Sequence, residues 1–101
     1  MARLEIYVGA MIPLIARILG NLTNSKEQKI YYKKPSGVTG YWDAQVLDAN
    51  EGTIVYNTQS GDFDEAGMWL LQGWEKDEYD RENHGQRYYL EIVNVEFPPS
   101  S

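Results

Sequence analysis

The chain has no cysteine and a single histidine among its 101 residues. Without cysteine there is no disulfide framework, no thiolate metal site and no thiol nucleophile, a lack that suits folding in a reducing compartment. One histidine excludes a histidine-paired metal site, and His84, between Asn83 and Gly85, reads as an exposed turn residue. Ser25, Ser36 and Ser60 have no evident partner base, so no nucleophilic dyad is expected. No apolar run approaches the ~20 residues of a membrane span. Gly9–Ala16, with Arg3 upstream, imitates a signal peptide, but Glu5 interrupts it and Arg17, Ile18 and Leu19 carry the pattern past any cleavage point. Basic residues are few, nine Lys and Arg against fifteen Asp and Glu, giving a net charge of -6. Such a chain repels a polyanion, so neither nucleic acid nor a membrane is an expected partner.

What is present is alternation. Trp42, Ala44 and Val46, then Ile54, Tyr56 and Thr58, then Trp69 and Leu71 fall on every second position. Period two places those side chains on one face of a pleated strand. Strands are expected at Leu4–Val8, Gln28–Lys34, Gly40–Leu47, Thr53–Thr58, Met68–Trp74 and Arg87–Phe97. Ile12–Leu19 is ambiguous: Pro13 suits the first turn of a helix ending at Gly20, yet Ile12, Leu14, Ala16 and Ile18 alternate, and we read a strand. Turns fall at Pro35-Ser-Gly37 and at Asp48–Gly52, where a glycine supplies positive φ. Glu75–Gln86 reads as too polar to bury and as the tip of a long hairpin. Seven short strands at this spacing predict an all-β, Ig-like antiparallel sandwich, one domain over residues 1–97 with a tail at 98–101.

Charge and aromatics suggest where such a scaffold makes contacts. Residues 1–40 carry six Lys and Arg against two acids, residues 41–101 three against thirteen. Opposed fields of that kind allow head-to-tail contacts between subunits, although a fold that mixes the two halves on one surface erases them. Lys29 and Lys33 lie on the outward face of a strand, with Lys34 just after them, and Trp74, Tyr79, Tyr88 and Tyr89 are the aromatics left over from the core. Exposed aromatics near one sheet end mark an interface. Asp62, Asp64, Gly67 and Trp69 form a structural corner, in which an Asp satisfies loop amides and the aromatic pins the crossing between sheets. Asp62, Asp64 and Glu65 lack the ligand spacing of a calcium loop, so no metal or cofactor is expected.

The opening IYVG, the KKPSG turn after a basic strand, and the run from Trp42 to Gln72, WDAQVLDANEGTIVYNTQSGDFDEAGMWLLQ, carry a resemblance over residues 4–97. The chain resembles small Ig-like domains of tailed phages and prophages, similar to the N-terminal module of baseplate upper proteins. The apolar Ala-Met-Ile after Gly9 and the long acidic loop 75–86 depart from that pattern. The resemblance implies a non-enzymatic virion structural or adaptor protein of tail, baseplate or neck, made in the host bacterial cytoplasm. Its expected partners are other phage structural subunits, or further copies of itself as a homo-oligomer. Trp74 and Tyr88 are then expected to serve assembly rather than folding, with the basic strand as their complement on a neighbouring copy. A carbohydrate-binding module for host cell-surface glycans is the alternative, with the same spare aromatics as a stacking platform.

Overall fold

The computed structural model describes residues 6–18 and 20–94. The expected strand ends at 4–5 and 95–97, Leu19 and the tail 98–101 lie outside the described residues. Eight strands and no helix are present among the described residues: β1 Ile6–Tyr7, β2 Pro13–Arg17, β3 Glu27–Lys33, β4 Thr39–Asp43, β5 Gln45–Asp48, β6 Thr53–Asn57, β7 Gly67–Lys76 and β8 Glu82–Val93. One sheet runs β1-β8-β7-β3-β4, the other β2-β6-β5. Neighbours pair antiparallel except β1, which lies parallel to β8. The inward faces meet across a single core of Leu14, Ile54, Ile30, Trp42, Phe63, Trp69, Leu71 and Ile92, so the chain is an all-β sandwich.

Alternation explains the inward face. In β2, Leu14 and Ala16 are buried while Pro13, Ile15 and Arg17 are exposed, so the ambiguous segment Ile12–Leu19 resolves as a strand over Pro13–Arg17, with Ile12 and Ile18 flanking it. Pro13 is tolerated because β2 is the outer strand of its sheet and opens the strand, where no ladder donor is needed. Trp42 stacks on Tyr56 at 5.2 Å and Phe63 meets Trp69 edge-on at 5.2 Å, the offset and T-shaped contacts aromatic quadrupoles favour.

Two expectations are corrected. Gly40–Leu47 is not one strand: the chain leaves the first sheet at Asp43 and enters the second at Gln45, while the Ala44 amide donates to the Gln28 carbonyl at 2.9 Å. Trp42 and Val46 both pack into the core across this switch, so the alternation runs on unbroken through a change of sheet. Nor is 75–86 a solvated tip. β7 continues to Lys76 and β8 starts at Glu82, leaving a turn of 77–81. Glu75 is 3% exposed, its carboxylate accepting from the Ser25 hydroxyl at 2.7 Å and from the Asn83 side-chain amide. A carboxylate can be buried there because both of its oxygens are satisfied.

The β7–β8 ladder shifts register between Gln72 and Trp74, where Gly73 faces Gly85 and Gln86. A Cβ on Gly85 would lie 2.3 Å from the Arg17 carbonyl oxygen, and one on Gly73 3.0 Å from the Ala16 Cβ. These glycines let the end of β2 approach the large sheet.

Candidate functional site

The outward face of the large sheet gathers the side chains of opposite parity to the core. Register places Lys29 beside Trp74, Tyr31 between Tyr41 and Gln72, and Lys33 between Thr39 and Leu70. On β8, Arg87 lies beside Gln72 and Tyr89 beside Leu70. Lys29 Nζ sits 4.2 Å from the Tyr41 ring centroid and 5.1 Å from that of Trp74. Tyr31 leans on Tyr41 at 5.7 Å and meets Trp74 edge-on at 6.1 Å. Between these groups runs an open groove of ≈ 510 Å³ walled by Tyr31, Lys33, Tyr41, Gln72, His84 and Arg87. Tyr31 and Tyr41 present exposed ring surface to it.

Its electrostatics differ from those of the rest of the molecule. Arg17, Lys26, Lys29, Lys34 and Arg81 each pair with a carboxylate. Among the described residues Lys33, Lys76 and Arg87 do not, and two of those three line the groove together with the only histidine. No carboxylate lines it. An acidic protein thus carries a locally basic, aromatic groove, which suits anionic groups attached to an apolar body.

Four of the residues singled out from the sequence, Lys29, Lys33, Trp74 and Tyr89, share this face. The basic strand therefore does not oppose the aromatics; β3 is hydrogen-bonded directly to β7. Trp74 is only 5% exposed, covered by Lys29 and Tyr31 and tied through Nε1 to Glu82 Oε1 at 2.9 Å, so it is a packing residue rather than a free platform. Tyr88 points the other way. It packs against the core, and its buried hydroxyl has no hydrogen-bond partner among the described residues; burial raises the phenol's pKa. Tyr79 stands at the hairpin tip, 69% exposed, with the Arg81 guanidinium 5.0 Å from its ring.

Lys34 belongs to the corner. Its ammonium bonds Asp64 at 2.8 Å and lies 4.0 Å from Glu65, and the Asp64 bond is the main reason its pKa is raised. Asp62 accepts from the Tyr56 hydroxyl at 2.5 Å and from the Gln59 amide at 2.7 Å. Trp69 is fully buried with Nε1 on the Glu65 carbonyl at 2.9 Å. Gly67, at φ 128°, lets Pro35 pack where a Cβ would sit. Asp64 and Glu65 thus share Lys34, while Glu65 also holds Ser36 through both its amide and its hydroxyl and Asp62 turns to Tyr56 and Gln59. Among the described residues no group of three His, Asp or Glu converges as a metal site would require.

Tyr41, Gln72 and Arg87 were not singled out, and His84, expected as an exposed turn residue, is exposed but lies within β8. The usable signal was the other half of the alternation, since positions between core residues on β3, β4, β7 and β8 share the outer face. Which strands adjoin is long-range information that alternation lacks.

Comparison of the chain with protein-family models, curated proteins and solved structures gives no match.

Proposed function

We propose that this chain is a non-enzymatic structural or adaptor domain of a tailed-phage or prophage virion, acting through protein–protein contacts on the outer face of its large sheet. The observation that carries the reading is the groove, where exposed tyrosine rings and two cations unpaired among the described residues lie on the outer face of the large sheet. Strand order supports it. β2-β6-β5 against β8-β7-β3-β4 follows the order of the B-E-D and G-F-C-C′ strands in immunoglobulin-like sandwiches. The virion assignment itself rests on the resemblance carried by residues 4–97.

The test is proteomic. Tailed particles purified from an induced source strain should contain the chain at fixed stoichiometry, in multiples of three or six for a symmetric ring. Absence from intact particles, with the protein abundant in the lysate, would remove the virion role.

A second reading, a carbohydrate-binding module, is favoured by a different site. A polar depression of ≈ 420 Å³ between segment 21–25 and the hairpin tip offers Asn24, Glu78 and Arg81 beside the exposed Tyr79 ring. Polar groups around an aromatic platform are a sugar-binding combination. Saturable binding to a glycan panel that Tyr79→Ala abolishes would favour this reading over the first.

A further inference from the structure

We infer that the groove receives the β7–β8 hairpin tip of a second copy of this chain, in a head-to-tail contact. The inference rests on the contact-protein reading above and names the partner at that surface. On the receiving side, Lys33 and Arg87 flank Tyr31 and Tyr41 with no carboxylate in the lining. On the inserting side, Asp77 is paired with Arg81 and Asp80 with Lys26, so the turn offers the Glu78 carboxylate beside the exposed Tyr79 ring. Glu78 is exposed and makes no ion pair among the described residues. One chain thus carries a cationic, aromatic-walled groove and a projection that sets an unpaired carboxylate, Glu78, next to an exposed ring.

The tip is already shaped for docking. Asp77 Oδ1 accepts from the Tyr79 amide at 2.8 Å and the Arg81 amide at 3.0 Å, and Asp77 Oδ2 holds Arg81 Nε at 2.8 Å. A turn held by its own hydrogen bonds loses little freedom on binding. It projects away from its own groove: Asp77 lies just past the end of β7, three residues beyond Trp74, whose register partner His84 is the groove residue nearest the tip, about 10 Å back along the strand. The occupant must come from a neighbour. A symmetric face-to-face dimer is disfavoured, because it would set Lys33 and Arg87 near the same cations of the other copy. A head-to-tail contact instead pairs unlike charges and propagates into a ring or a filament.

The insertion of one turn makes a small interface of the transient class, so the experiment must reach high concentration. Sedimentation velocity of the full chain over roughly 10 µM to 1 mM should show a sedimentation coefficient that rises with concentration. Salt at about 0.5 M should suppress the rise, since the Debye length falls well below 10 Å. K33E/R87E should weaken association at least about tenfold, by setting like charges against the tip, and Glu78→Lys should weaken it as well. An equimolar mixture of the two variants should associate again, because each then offers one complementary pair. A wild-type chain that stays monomeric throughout would overturn the proposal, as would association unaffected by K33E/R87E or by Glu78→Lys. The two readings fail separately. A chain present in particles at fixed stoichiometry but monomeric in solution keeps the structural role and loses this occupant; a chain that associates head to tail but is absent from particles does the reverse.

Discussion

The large sheet has aromatic residues on both faces, and the two clusters are held in different ways. On the inner face, Trp42 and Trp69 are covered by the second sheet, including Tyr56, and by Phe63 from the β6–β7 loop, through ring-on-ring contacts. Among the described residues no second sheet covers the outer face, and Trp74 is covered instead by Lys29, by Tyr31 set edge-on and by a hydrogen bond to Glu82. A long lysine can hide apolar surface while keeping its charge in water. The same residue types thus build a closed core on one side and an accessible cationic, aromatic surface on the other. Only the second can meet a partner.

The sharpest way to break this comparison is to remove one tryptophan from each side. Trp69→Ala should cost about 3–5 kcal/mol in urea unfolding, because a fully enclosed ring leaves a cavity. Trp74→Ala should cost less, roughly 2–3 kcal/mol, since water and the Lys29 stem can enter the space. Equal losses would mean the outer cluster is as closed as the core.

Next in size is Glu75→Ala, expected to cost about 1–3 kcal/mol by stranding the Ser25 hydroxyl and the Asn83 amide. A neutral result would show that the carboxylate is solvated after all.

Tyr56→Phe probes the core's polar rim and should cost roughly 1–2 kcal/mol through the lost bond to Asp62. Its pH dependence has a definite sign. Burial first, and then the bond to Asp62, push the Tyr56 phenol up to about 12 from 10.0. A group held protonated more tightly when folded contributes stability that is complete below pH 10 and lost as pH rises from 10 towards 12. The difference in stability between wild type and Tyr56→Phe should shrink over that window; a constant difference would contradict the account.

The smallest effect on folding is expected for K33E/R87E, within about 0.5 kcal/mol, because both side chains are exposed and make no ion pair among the described residues. A large loss of stability would make these cations structural and would weaken the case for a contact surface.

Most of the core was legible because alternation is local. Leu14 and Ala16, Ile30, Ile54, Trp69 and Leu71 all fall where period two predicts. The sheet switch at Ala44 was not, since Trp42 and Val46 keep the same parity on either side of it. The buried Glu75 was hidden by composition, because acids are read as solvated unless their donors are known, and Ser25 lies fifty residues away in sequence. The outer face was half legible. Lys29 and Lys33 follow from parity within one strand, but their meeting with Trp74, Gln72 and Arg87 depends on β3, β7 and β8 being neighbours, which no local pattern encodes.

The most direct test of the central claim is hydroxyl-radical footprinting of the chain free and within purified tailed particles. The account predicts protection of Tyr31, Tyr41 and Tyr89 in the particles, with Ile15 and Leu47 on the small sheet's outward side unchanged. Equal labelling of the two sheets in both states, or protection confined to Ile15 and Leu47, would contradict it.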